Sequence, residues 1–446
     1  MLTGTRAFAL ILFGQVVSNV GSAMTGFALS VHVYKETRSV DAFVAIILAV
    51  FITNAVASPF AGVIVDRIPR KTAMMVGDIG AALATLSLFV VDRTVGLAVW
   101  HIVLATAWST AFASLQWPAF MAATSALVPK EHVARASGIA QMGEALSMIA
   151  SPFLAAVVLT KFGLASVFII DFVTFGFAVT SVLFSIIPSP VRDAASTAAR
   201  SVLGEIREGW NYLLQRPGLI GIMQFFMTVN FTVGGVQAIF GPTVMGYHGE
   251  KAYGLIATLG GIGMLIGSIA MGAWGGPKRK VEGLLWFGVA VGGFLTLFGL
   301  TTSLVLMIVG SVGMMFCFPF VQACSQSIWM VKVDPEYQGR VFSLRRLAAT
   351  SLAPLSVWLC GLLATRVFEP AMMPTGGLAS TAGRMIGVGE GSGLRLLSVI
   401  MGVLTVAAVV LLIRRRLVWN VEADLPDAVQ LSVPGNLKVA EAAAES

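Results

Sequence analysis

Long stretches without a charged side chain dominate this sequence. Between Asp41 and Asp66 lie 24 such residues, and between Glu282 and Lys332 lie 49. Hydrocarbon leaves no partner for free backbone N–H and C=O groups, so a stretch of this kind forms a helix of about 20 residues that crosses the bilayer. Composition agrees, with 57% of residues hydrophobic and 11% charged, against roughly 45–50% apolar in a soluble domain.

Six apolar runs precede the polar stretch 188–216: between Arg6 and Lys35, between Asp41 and Asp66, then 72–91, 94–129, 136–160 and 162–187. Six follow: 217–249, 252–277, two within 283–331 that part near Thr301–Ser303, then 347–365 and 396–413. The expected fold is an all-α integral membrane protein with twelve crossings. Its expected parts are an N-terminal half over 1–187, a cytoplasmic linker over 188–216, a C-terminal half over 217–413 and a cytoplasmic tail over 414–446. In the linker, "SVLGEIREGWNYLLQ" places Val202, Ile206, Trp210, Leu213 and Leu214 on one face, as a helix lying on the membrane surface would. The connector 366–395 is long and glycine-rich, a gate or a plain link, and the tail beyond Asn420 reads as disordered.

Cytoplasmic loops are enriched in Lys and Arg. With both termini cytoplasmic, 21 of the 29 basic residues fall on that side, the stretch 332–346 included. Topology therefore accounts for the net charge of +7, and no nucleic-acid partner is needed to explain it. The first run exceeds the roughly 7–15 residues of a signal-peptide core and is read as a retained helix. Cys317, Cys324 and Cys360 all fall inside expected helices, where a disulfide framework has no place. No CxxC, HExxH, P-loop or GxSxG pattern occurs, so no catalytic residue, metal or cofactor is expected.

The halves echo each other. Gly62 precedes Pro69-Arg70-Lys71, as Gly272 precedes Pro277-Lys278-Arg279-Lys280; "LVPKEHVARASG" and "KVDPEYQGRVFS" set Arg135 and Arg340 in comparable places. Parallel six-helix repeats related by an axis along the membrane normal are one known transporter plan. On these grounds "GVIVDRIPRK", with Gly62, Asp66, Arg67, Arg70 and Lys71, resembles the signature between the second and third helices of the major facilitator superfamily. "GQVVSNVGSAMTGFAL", "QWPAFMAATSALVP", "IIDFVTFGFA" and "QGRVFSLRR" resemble a narrower group of drug and siderophore exporters, related to macrolide efflux and enterobactin export. "RVFEPAM" and "VEADLPDAV" are similar to permeases that accompany non-ribosomal peptide synthesis. One departure is the antiporter signature of the fifth helix, where Ser151, Ala155 and Ala156 replace glycines around Pro152.

The resemblance implies the major facilitator fold, in which the acid equivalent to Asp66 sits against the start of the eleventh helix, near Arg340. A carboxylate at a helix N-terminus is favourable by roughly 0.3–1 kcal/mol. Gly62, Asp66, Arg67, Arg70, Lys71 and Arg340 are thus the expected conformational latch, although the three bases equally suit plain membrane anchors.

Acids inside the membrane are functional candidates by default. Glu144, expected buried near the midplane, is the first candidate for taking up and releasing a proton, followed by Asp171 and Asp78. Substrate-cavity candidates are Gln15, Ser18, Asn19 and Ser22 of the first helix and Trp108 and Phe112 of the fourth. Gln224 and Thr228 of the seventh and Met314, Phe318 and Gln322 of the tenth complete the set. In the resembling fold those helices line the central chamber, and small polar residues serve equally as glue between helices.

The expected activity is secondary active export of a bulky or amphipathic small molecule across the bacterial inner membrane by alternating access, driven by proton antiport, with a monomer sufficing. The expected partners are that substrate, protons and the lipid bilayer. Import or flipping of a lipid-like substrate, or a non-transporting scaffold or sensor for a biosynthetic complex, stays open on the residues alone.

Overall fold

The structure, a computed structural model, describes residues 2–129, 133–187 and 202–427. Apart from one isolated bridge between Leu2 and Ser185, every regular element described is helical. The first half contains α1 (Gly4–Thr37), α2 (Val40–Arg67), α3 (Arg70–Thr94), α4 (Val99–Leu127), α5 (Val133–Phe162) and α6 (Leu164–Leu183). A linker helix, α7 (Val202–Leu214), leads to α8 (Pro217–Trp274), α9 (Lys280–Leu300), α10 (Leu304–Lys332) and α11 (Pro335–Leu363). Short helices α12 (Glu369–Ala371) and α13 (Gly383–Ile386) precede α14 (Ser392–Arg414), and α15 (Arg416–Trp419) and α16 (Val421–Asp424) close the described chain.

Among the described residues ten helices are long and apolar enough to cross a membrane. Of these, α8 makes two crossings, because Gly249, at φ 78°, breaks its 58 residues into two arms; glycine takes that conformation without strain. The 29-residue α4 carries no Asp, Glu, Lys or Arg and is long enough to cross as well. With it the described residues make twelve crossings, six on each side of α7.

Small residues let the helices approach closely, the usual means of packing in lipid. Gly14 and Gly21 of α1 face Ser181 and Asp171 of α6, and Gly143 of α5 faces Val16. In the second half Gly292 and Gly402 join α9 to α14, while Gly263 and Gly267 of the second α8 arm meet Val312 and Phe316 of α10.

The halves touch chiefly at the end away from the termini, called here the far end. There Phe43 packs on Gly241 and Val44 on Gly361. The rings of Phe27 and Tyr253 stack with centroids 4.6 Å apart. Thr365 Oγ1 donates to Asp41 Oδ1 at 3.0 Å, and Lys35 pairs with Glu250 at 3.5 Å. Among the described residues these two are the only side-chain hydrogen bond and ion pair between the halves. Pro152 and Ile149 of α5 also lie against Gly254 and Gly261 of α8. Toward the near end α2 peels away: on the face that carries buried Phe43 and Val44, the later residues Asn54, Ala55 and Ser58 are exposed.

The linker helix and the start of the tail differ from the sequence expectation. The linker helix docks on the second half instead of only lying on a membrane surface: Leu213 and Tyr212 are buried, while Trp210 and Leu214 stay exposed. Tyr212 OH donates to Asp334 Oδ2 at 3.0 Å, under the Arg216 guanidinium 3.6 Å from its ring. The side chains of Val202 and Ile206 lie outside the described residues. The start of the tail is ordered, not free. The Glu422 carboxylate accepts from the N–H groups of Lys280 and Val281 at 3.0 and 2.9 Å, capping α9, and Lys332 Nζ donates to the Glu422 and Leu425 carbonyls. The 366–395 connector is packed as well, with Met372 and Ile386 buried and the Glu369 carboxylate holding the Gly391 and Gly393 N–H groups.

Candidate functional site

Two carboxylates are sealed inside the first half. Asp78 of α3 is fully buried and accepts from Gln15 Nε2 of α1 at 3.0 Å and from Gln116 Nε2 of α4 at 2.6 Å. Asp171 of α6 is 1% exposed and accepts from Thr25 and Ser22 of α1 at 2.8 and 3.3 Å and from Thr85 of α3 at 2.8 Å. Each acid therefore bridges three helices through neutral donors, and among the described residues neither pairs with a cation. The alternative to such a bond is an unsatisfied polar group in hydrocarbon, so these networks hold the half together.

That assignment corrects the reading of the α1 stripe. Gln15, Ser18 and Ser22 were expected to line a cavity, yet Gln15 and Ser22 are spent on the acids and Ser18 is 2% exposed. Asn19 lies on the adjoining face with exposed Ala23 and Gly26, and its side chain bonds to no described residue. Trp108 and Phe112 lie against α3 of their own half: Trp108, which stays 52% exposed, donates its Nε1 hydrogen to Gly80 O at 3.0 Å, and Phe112 covers Gly80 and Gly77. Trp108 borders a groove of about 370 Å³ between α3 and α4, with Trp100 and His101.

Glu144 differs more sharply from expectation. It is exposed, not buried, and forms no hydrogen bond or ion pair with a described residue. Eleven residues from the start of α5, it sits about 16 Å along the helix. The face that meets α1 is occupied by Gly143 and Ser147, whose hydroxyl donates to Gly143 O.

In the second half, Gln224 is exposed and Thr228 half-buried on α8. Gln224 Oε1 accepts from Arg415 Nη1 at 3.2 Å, Thr228 bonds back to Gln224 O, and Thr232, one turn on, meets Thr405 of α14 at 2.7 Å. Met314 is buried in the core, whereas Phe318 is half-buried and Gln322 exposed. The other faces of α10 are taken by α9 and α8. Phe318, Gln322 and Gln326 follow one another at four residues and share what is left, whereas Met315 lies against Gly260 of α8. Amide side chains are costly against lipid, which makes that face a candidate border of the gap between the halves.

Arg345 was read as a loop base and is instead ten residues inside α11. It is half-buried, donating to Gln326 Oε1 at 2.8 Å and Ser325 Oγ at 3.2 Å. The missed signal is "KVDPE": Asp334 at the N-cap and Pro335 at the first helical position mark a helix start.

Of the latch set, the side chain of Asp66 and Gly62 lie outside the described residues. Lys71 Nζ donates to the Leu183 and Ser185 carbonyls at 2.8 and 3.1 Å, tying the loop to the end of α6. Arg67 is exposed and Arg70 half-buried. Arg340 pairs with Glu208 of the linker helix at 2.9 Å.

Comparison with known proteins follows the same lines. The chain is 28% identical over 365 residues to macrolide efflux protein A of Streptococcus pyogenes, covering 81% of this chain and 90% of that protein. It is 26% identical over 310 residues to the enterobactin exporter EntS of Citrobacter koseri, covering 66% and 70%. Among solved structures, a bacterial homolog of the human lysosomal transporter Spinster, inward-facing and unoccupied, superposes with a TM-score of 0.66 at 15% identity, covering 91% of this chain and 96% of that one. A bacterial homologue of the iron transporter ferroportin, inward-facing, gives 0.65 at 15% identity, covering 92% and 99%. The Major Facilitator Superfamily profile matches residues 11–357, and with the fold this establishes that the chain belongs to that superfamily.

Proposed function

We propose that this protein exports a bulky or amphipathic small molecule across the bacterial inner membrane, as a monomer with both termini cytoplasmic, by rocking its halves about a site between them. The observation that carries the reading is the distribution of contacts between the halves, closed at the far end around Phe43, Val44, Gly241 and Gly361 and parted near residues 54–58 of α2. With the termini inside, that is an inward-open carrier, ready to load from the cytoplasm. The efflux and export activities in the names of the two relatives support the outward direction. Proton influx is the driving force in this reading. Glu144, exposed and without a described partner, is the acid best placed to exchange a proton with the chamber. Asp78 and Asp171, sealed by neutral donors, hold helices together. The latch role of Asp66 stays part of the proposal, with Lys71 anchoring its loop.

Untargeted mass spectrometry of medium and cell extract, from a bacterial host with and without the protein, tests the reading. A compound lost from the medium and accumulated in cells when the protein is absent is the expected result. The opposite displacement replaces export by uptake. No displacement, together with co-purification of soluble synthases, replaces transport by a scaffold role.

A further inference from the structure

The second half contains a guanidinium that the described residues around it orient but do not neutralise. Arg345 lies about 15 Å along α11 by the usual helical rise. Its two described hydrogen bonds go to a neutral amide oxygen and a hydroxyl. Its central carbon stands 5.3 Å from the Phe226 ring centroid and 5.5 Å from that of Trp329, within reach of a cation–π contact with each. Among the described residues no carboxylate pairs with it. A guanidinium has five N–H donors in a planar fork, so most remain unspent. A further unspent donor belongs to the same cluster: the indole Nε1 of fully buried Trp329 has no hydrogen-bond partner among the described residues.

A partly desolvated cation with spare, fixed donors is a receptor for an oxyanion, because charge-assisted bidentate bonds are the strong ones and their strength grows as water is excluded. Arg345 reaches over the α10 face that carries Gln326, Gln322 and Phe318 toward the gap between the halves. Amide and aromatic surface beside the cation suits an organic body attached to the anion.

We propose that Arg345 is an anion subsite of the chamber, taking a carboxylate or comparable oxyanion of the transported molecule while Phe318 receives its apolar part. The substrate class is then an amphipathic organic anion. This rests on the transport reading above and adds charge selectivity to it.

The test is calorimetric titration of the full-length protein in neutral phosphatidylcholine nanodiscs with 2-naphthoate and its neutral isostere 2-naphthamide. Wild type is expected to prefer the carboxylate by on the order of tenfold or more, as a charge-assisted fork would give. Arg345→Gln is expected to erase that preference, and Arg345→Lys, keeping charge without the fork, to retain part of it. Melting of each variant identifies one that fails to fold, and the lysine variant then carries the comparison. Equal affinity for the two probes, a preference that survives Arg345→Gln, or no naphthoate binding up to its solubility limit would overturn the subsite. A purely structural tether between α11 and α10 would not create charge selectivity. Flux lost with the preference intact breaks the transport reading alone, and flux intact without the preference breaks the subsite alone.

Discussion

The two halves share a helical plan and differ in the charge they bury. The first half buries acids, Asp78 and Asp171, each bridging three helices through neutral donors. The second half encloses bases. Arg395 is 2% exposed and donates to the Gly299 and Leu300 carbonyls at the end of α9, and Arg345 leans on two rings beside Gln326. The difference shows that sign alone does not make a membrane charge functional. Asp78, Asp171 and Arg395 are surrounded by dipoles that fit them, as buried polar groups normally are, and they brace helices. Glu144 and Arg345 are left with capacity unspent, one in each half, at comparable distances along α5 and α11.

The comparison breaks most visibly at Asp171. Asp171→Leu strands three hydroxyl donors inside the half. At about 0.6–1.7 kcal/mol per interhelical bond, the loss is roughly 2–5 kcal/mol. Thermal unfolding of the purified variant should show it, while Asp171→Asn, which keeps an acceptor, should lose far less. Wild-type stability in the leucine variant would mean that the acids are not braces and that the contrast between the halves is empty.

Glu144 comes next. In liposomes, Glu144→Gln is expected to abolish flux driven by a pH gradient while leaving substrate exchange at equilibrium intact. The structural acids should behave otherwise, with Asp78→Asn lowering stability and both modes of flux together. Gradient-driven flux that survives in Glu144→Gln would move proton coupling elsewhere and undo the division between spent and unspent charges.

How far the sequence carries this picture depends on what hydropathy encodes. Charge-free runs locate the twelve crossings because the cost of a charge in lipid is large and local. Periodicity groups Gln15, Ser22 and Thr25 on one face of α1, but a helical period says which residues share a face and nothing about what the face meets. Hence the stripe reads as cavity lining until Asp78 and Asp171 appear opposite it. Gln116 is visible in the same way without its partner. Arg345 is lost to a boundary placed a dozen residues late, since charge counting extends a loop through bases that the Asp334-Pro335 start already assigns to α11. The ordered start of the tail is illegible because Glu422 acts on α9 from 140 positions away or more.

A smaller effect is expected at the closed far end. A side chain at Gly361 would meet Val44, so Gly361→Leu should wedge the halves apart there. Filling a well-packed contact typically costs about 1–3 kcal/mol, enough to shift a two-state balance toward the outward-open form. With Cys317, Cys324 and Cys360 all buried, a cysteine introduced at Asn19 reports the change. Its labelling by an impermeant maleimide from outside should rise several-fold, in keeping with that energy. Unchanged labelling would place the hinge or the seal elsewhere.

The smallest effect concerns the charges at the same end. Lys35 is 63% exposed and stands 3.5 Å from Glu250, so water already screens most of their attraction. Exposed pairs of this kind contribute about 0–1 kcal/mol, and Lys35→Ala should raise the same maleimide labelling by less than Gly361→Leu does. The order matters more than either value. If removing Lys35 opened the far end as much as crowding Gly361, the seal would be electrostatic, and the gate would weaken with added salt. If the order holds, the far end closes by shape around Phe43, Val44, Gly241 and Gly361, and charge is left to the roles proposed for Glu144 and Arg345.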